Sequence, residues 1–216
     1  MSVGSNFDRL AWIYDPLARM VFGRFMVESQ THFLDRIAPG SSVLIVGGGT
    51  GWILDELFAQ TSNCEVWYVE ASEKMLRKSR RHGISGRVHF VLGDWKNMPA
   101  QKFDVVVTNY FLDLFSDQTL AEVIRVMGDA LNTGGMWLVT DFTRSRKWHT
   151  AMLAAMYLLF RVVCRIEASS LPAWDDAMTR AGFRPDASKF TYGGFMKSVV
   201  FRRLTDVPDT AAFGQA

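Results

Sequence analysis

The sequence predicts a three-layer α/β sandwich. It would be built on a mostly parallel seven-stranded sheet, with helices on both faces and an antiparallel hairpin at its C-terminal end. Three observations carry this reading. Short apolar, β-branched runs alternate with segments of helical period five times along the chain, the pattern of repeated βα units. The first such run, Ser42-Val43-Leu44-Ile45-Val46, has no polar alternation, as a strand buried on both faces requires. The last two β-rich runs, around 183–190 and 197–203, flank Gly193-Gly194, which suits a hairpin turn.

The elements follow in order. Phe7, Leu10, Ala11, Tyr14, Leu17, Val21, Phe22 and Phe25 recur at helical spacing, and Pro16 breaks the run into two short helices. Residues 1–38 are therefore read as an N-terminal helical cap. Pro39-Gly40-Ser41-Ser42 is a turn into the first strand. Gly47-Gly48-Gly49-Thr50-Gly51 leaves that strand, and Ile53, Leu54, Leu57 and Phe58 mark a helix. Further strands are expected at 65–70, 87–92, 103–109 and 136–141. Ser72 caps one intervening helix and Ser116 caps another, whose apolar face carries Leu120, Val123, Ile124, Met127, Ala130 and Leu131. An apolar helical insertion spans about 147–168. Pro172 is expected to open one more helix and Gly182 to end it. Residues 39–205 thus form one ligand-binding domain, with a flexible tail at 206–216.

Composition narrows the function. With 216 residues, 49% of them apolar, the chain can bury one large core. A net charge of +2 is too mild to suggest a nucleic-acid surface. Cys64 and Cys164 lie far apart and no Cys/His cluster has metal-ligand spacing, so no metal site and a reducing, cytoplasmic setting are expected. The start of the chain lacks the pattern of a signal peptide. The longest apolar stretch, Ala151 to Cys164, is interrupted by Arg161 and falls short of the roughly 20 residues a spanning helix needs. Peripheral contact with a membrane surface stays open, as does the choice between monomer and homodimer.

In open α/β sheets, ligands bind at the carboxyl ends of the strands near the switch point. The residues there are Gly47–Gly51, Glu70, Asp94, Asn109 with Tyr110, and Asp141. A glycine loop between strand and helix brings backbone N–H groups and the positive helix end to a ligand. Glu70, 19 residues after Gly51, ends the second strand, where a carboxylate can hold both hydroxyls of a ribose. No Lys-Ser/Thr pair follows the loop, so it is not a P-loop. Trp52 replaces the third glycine of the dinucleotide fingerprint, and so bulky a residue is expected to resist close approach of helix and strand.

With these residues in place, the sequence resembles the class I S-adenosylmethionine (SAM)-dependent methyltransferases, in particular their small-molecule, quinone-biosynthesis-like branch. The likeness spans about 40–205 and rests on five segments: Val43–Gly51, Val69–Leu76, Gly93–Pro99, Phe103–Tyr110 and Asn132–Gly135. It implies a Rossmann-like fold with SAM as cofactor. It further implies that Gly47, Gly49 and Gly51 wrap the methionine part, Glu70 holds the ribose, and Asp94 and the Trp95 backbone meet the adenine. Asn109 would lie near the SAM amine. Tyr14, in a segment resembling that branch's helical cap, would close over the cofactor. Ile45 stands where many members carry an acid that helps orient the SAM amine. The Gly-Gly-Gly-Thr-Gly form is also similar to aminopropyltransferases, but no matching aspartate pair is present. A SAM-fold binding protein without catalysis and a NAD-dependent enzyme remain as alternatives.

Methyl transfer has a neutral leaving group, so the protein must chiefly align the acceptor and exclude water. A base is needed only where the acceptor must lose a proton. Asp113, His149 and Tyr110 are the candidates, each soon after a strand end; Asp113 and His149 each have a structural reading too, as residues at a helix start. His32, His82 and His89 show no partner pattern and read as structural. Trp148, Met152, Met156, Tyr157 and Phe160 have helical spacing that core packing explains. The resemblance places that insertion against a small acceptor, apolar or aromatic in character.

Overall fold

The computed structural model describes residues 22–82, 87–164 and 170–204, the side chains of 159–164 excepted. Tyr14, the Pro16 break and the 206–216 tail lie outside the described residues, and so does the side chain of Phe160. A helix, α1 (Arg24–Thr31), precedes β1 (Ser42–Val46) and α2 (Trp52–Gln60). Next come β2 (Glu65–Glu70), α3 (Glu73–Ser79), β3 (Val88–Leu92) and β4 (Phe103–Asn109). Then α4 (Asp117–Asp129), β5 (Leu131–Phe142), α5 (Lys147–Cys164), α6 (Trp174–Arg180), β6 (Phe183–Thr191) and β7 (Met196–Arg203) complete the fold.

The sheet has seven strands in the order β3-β2-β1-β4-β5-β7-β6. The first five are parallel, and β7 runs antiparallel between β5 and β6. Because β1 pairs with both β2 and β4, the order reverses beside it, and a crevice opens over the carboxyl ends of these strands. The glycine loop leaves β1 at this point.

Side-chain alternation along β1 separates two cores. Leu44 and Val46 face α4 and α6 with Val123, Ile124, Met127, Trp174 and Met178. Val43 and Ile45 face α2 and α3 with Ile53, Leu54, Leu57 and Leu76. A third cluster sits over the strand ends: Phe22 and Met26 from the α1 region, Tyr110, Phe142, Leu153 and Tyr157 of α5, and Phe195 with Met196. Hydrogen bonds pin α1 there. The buried Ser29 carbonyl accepts from Thr140 Oγ1 at 3.1 Å and Ser198 Oγ at 2.6 Å.

Three details differ from the sequence expectation. Strand β5 begins at Leu131, before the Gly134-Gly135 pair, because Leu131 pairs with Phe103 before the register shifts and Met136 meets Val105. Helix α6 starts at Trp174 with Ala173 as its N-cap, two residues after Pro172. His82 Nδ1 lies 2.6 Å from Asp55 Oδ2, and His89 Nε2 lies 2.8 Å from Glu65 Oε1, so both histidines do have carboxylate partners. Gly51 also makes a close approach of its own, to helix α3. A Cβ on Gly51 would stand 2.5 Å from Ser79 Cα, and its φ is +95°.

Gly51→Ala therefore meets backbone rather than a movable side chain. Overpacking costs roughly 1–3 kcal/mol, and the left-handed conformation adds about 1–2 kcal/mol for a residue with a Cβ. The urea midpoint is expected to drop accordingly with an unchanged slope. A midpoint equal to wild type would contradict this packing.

Candidate functional site

The glycine loop is shaped from both sides. Gly47, Gly49 and Gly51 have positive φ (+69°, +69° and +95°), which residues with a Cβ adopt at a cost. Gly48 is needed for another reason: a Cβ there would stand 2.3 Å from the ring of Tyr68 beneath it. The Tyr68 hydroxyl donates to the Gly49 carbonyl at 3.0 Å. A Cβ on Gly47 would meet the Phe111 ring at 2.6 Å, whereas one on Gly49 would meet nothing within 4 Å. The loop thus presents the Gly49 backbone to open space.

Glu70 is buried at the tip of β2 and turns toward this loop. Its Oε2 accepts from the Gly49 N–H and its Oε1 from the Ser72 N–H, each at 2.8 Å. The carboxylate is therefore fixed in place by two backbone donors. Ser72 also caps α3, its Oγ accepting from the Met75 N–H. The adjacent strand tip is tied in by the Gly93 N–H, which donates to the Glu70 carbonyl at 3.0 Å. Asp94 follows, with Oδ1 accepting from the Lys96 N–H at 2.8 Å. Trp95 buries its indole in the main core, and Asn109 ends β4 half-buried. Ile45 is buried in the α2 side of the core, so the acid often found there is absent. Tyr68 and Glu70 brace the loop from the neighbouring strand instead.

The three base candidates occupy different settings. Tyr110 has φ +51° and a buried ring. Its hydroxyl lies 2.7 Å from Ser29 Oγ and donates to Met196 Sδ at 3.0 Å, fastening α1 to the sheet. His149 is buried, and its Nδ1 accepts from the Ser145 N–H at 3.1 Å. Burial lowers its pKa, with Arg146 acting in the same direction and the Gly193 carbonyl opposing. Asp113 is buried beside β5, and its Oδ1 has no hydrogen-bond partner among the described residues.

Asp113 belongs to an acid pair. Asp141 Oδ2 accepts from the Leu112 and Asp113 N–H groups at 3.0 and 3.2 Å, and Oδ1 accepts from the Phe142 N–H at 2.8 Å. Burial pushes Asp141 up to about 7 although these donors oppose it. Burial, and then the charge of Asp141, raise Asp113 well above the usual carboxylate range. Tyr157 of α5 donates from its hydroxyl to the Asp113 carbonyl at 3.2 Å, and burial with the two acids raises its pKa. Asp141 was visible in the sequence only as a strand tip. Tyr157 reads there as a core position and Tyr68 only as part of the second strand, and no sequence signal marks which hydroxyl reaches the site.

The sequence profile of a family described as "Methyltransferase domain" matches residues 43–135. Residues 43–135 thus match a methyltransferase domain, and in this stretch the chain is similar to the SAM-dependent methyltransferases. The matched stretch runs from β1 through β4 and α4 into β5, and so contains the glycine loop, Glu70, and Asp94 after β3. Among curated proteins, the chain is 28% identical over 151 residues to the ubiquinone/menaquinone biosynthesis C-methyltransferase UbiE of Ectopseudomonas mendocina. That alignment covers 66% of this chain and 56% of that protein. It is 32% identical over 117 residues to UbiE of Vibrio campbellii, covering 49% and 43%. The chain thus spans about half the length of these relatives. Among solved structures, the fold matches a chain of the complex between the Haloferax volcanii Trm112 methyltransferase activator and the putative methyltransferase. The TM-score is 0.69, with 15% identity and coverage of 93% and 96%. It also matches the O-methyltransferase NcsB1 from neocarzinostatin biosynthesis (TM-score 0.67, 16% identity, coverage 94% and 62%).

Proposed function

We propose that this chain binds SAM across the glycine loop and Glu70 and transfers its methyl group to a small apolar or aromatic acceptor. The observation that carries the reading is the pairing of a buried strand-tip carboxylate with a loop amide, Gly49 N–H to Glu70 at 2.8 Å, beside backbone that faces open space. Gly47, Gly49 and Gly51 are assigned to the methionine part, Glu70 to the ribose, Asp94 and the Trp95 backbone to the adenine, and Asn109 to the amine. When bound, SAM supplies a methyl group on a sulfonium sulfur that departs as a neutral thioether.

The chain's own residues must then position the acceptor and keep water out, work that can supply roughly 7–11 kcal/mol. The aromatic cluster of Phe22, Tyr110, Phe142, Tyr157 and Phe195 lies beside the acid pair over the strand ends, a setting suited to an apolar ring. The names of the curated relatives point to the same class of acceptor, a quinone-type ring. Asp113 is the group assigned to take a proton from a hydroxyl acceptor. Tyr110 is assigned to holding α1, since its hydroxyl already serves Ser29 and Met196. His149 accepts from Ser145 through Nδ1 and keeps its buried Nε2 without a hydrogen bond among the described residues, which leaves it as the second candidate base.

Transfer from methyl-labelled SAM to a panel of phenols, quinols and charged sugars tests this reading. Turnover confined to apolar rings is the expected result. Tight SAM binding with no turnover on any acceptor would favour a binding protein without catalysis.

A further inference from the structure

We propose that the outer face of α5 docks the protein onto an anionic lipid surface. The two sides of this helix differ. His149, Leu153 and Tyr157 are buried, and Met152 and Met156 are half-buried beside them. On the opposite side, Trp148, Ala151, Ala155 and Leu158 follow one another at intervals of three or four residues, and all four are exposed. Leu158 is 67% exposed, and Trp148, which rests one side of its ring on Phe195 and Tyr192, is still 40% exposed, so this side presents apolar surface that the described residues leave open. No Asp, Glu, Lys or Arg occurs from Trp148 to Leu158.

Arg144, Arg146 and Lys147 lead into the helix, all exposed and without an ion pair among the described residues. They do not serve helix stability, because cations are disfavoured at a helix N-terminus and the first turn carries no acid. An apolar stripe headed by a tryptophan and flanked by cations matches the interface of a bilayer bearing negative headgroups. No described helix is long and apolar enough to cross a membrane, so the contact would be peripheral. The buried side of the same helix carries Tyr157, bonded to Asp113, so docking would place the proposed acceptor site next to an apolar phase.

Sedimentation of the purified full chain with phosphatidylcholine vesicles, with and without phosphatidylglycerol, tests this. It reads binding to lipid alone, so its failure leaves the SAM reading untouched. The expected result is binding that needs the anionic lipid and weakens with salt. Ala155→Glu with Leu158→Glu should lower the partition coefficient about tenfold or more, since burying a charge at the interface replaces burying a leucine. Arg146→Glu with Lys147→Glu should do the same by removing attraction to the headgroups. Glu favours helices and suits a helix N-terminus, so both variants are expected to melt no earlier than wild type. Failure of wild type to sediment, equal binding to neutral vesicles, or wild-type binding by either variant would overturn the proposal. So would a dimer that the Ala155/Leu158 variant converts to monomer, because the face would then belong to a second copy.

Discussion

Asp113→Asn is expected to slow methyl transfer to a hydroxyl acceptor by about 10²–10⁴-fold, the usual contribution of a positioned base. The wild-type rate should rise with pH and level off once the buried pair has released its proton. In the variant that rising limb should disappear while SAM affinity stays unchanged. Stability should move the other way. The folded pair holds protons that the unfolded chain has already lost between the ordinary aspartate value, about 4, and the value near 7 for Asp141. Where the folded state binds more protons, unfolding free energy falls as pH rises. Stability is thus greatest below the lower value, declines across this window, and the raised Asp113 extends the decline upward. Asn at 113 removes the charge facing Asp141, so the pH slope should become shallower and the variant should be at least as stable as wild type at neutral pH. Urea midpoints measured across that range check the sign. A variant with full activity would remove Asp113 from the chemistry.

Glu70→Ala is expected to weaken SAM binding at least tenfold, because hydrogen bonds to a charged acceptor contribute roughly 1.5–3 kcal/mol each. The structure adds a second consequence. Glu70 also accepts from the Gly49 and Ser72 N–H groups, and stranding buried donors costs about 1–3 kcal/mol. The variant should therefore melt several degrees earlier as well as bind less. Calorimetry on the folded variant separates the two effects. Unchanged affinity with lowered stability would make Glu70 a brace for the loop and nothing more.

What the sequence made legible was whatever depends on spacing. The unbroken apolar run at 42–46, the glycines after it and the acid ending the next strand announced the switch point of a parallel sheet before any coordinates. The hairpin was equally plain from Gly193-Gly194 between two β-rich runs. Contacts between elements distant in sequence were not legible. Nothing local to Gly48 says that the Tyr68 ring lies beneath it, and nothing local to Gly51 says that it lies against Ser79 of the next helix. Leu131 enters β5 through pairing with Phe103, which the Gly134-Gly135 turn signal concealed. His82 and His89 looked partnerless because Asp55 and Glu65 lie 27 and 24 residues away. The acid pair needed the fold to bring Asp141 under the backbone of Leu112 and Asp113.

All of the functional reading depends on the loop amide and the strand-tip carboxylate holding an adenosyl compound between them. Calorimetric titration of the wild-type chain with S-adenosylmethionine, S-adenosylhomocysteine and NAD measures this directly. Saturable one-to-one binding of both adenosyl ligands and none of NAD is the predicted outcome. Binding of NAD with no heat from either adenosyl ligand would contradict it.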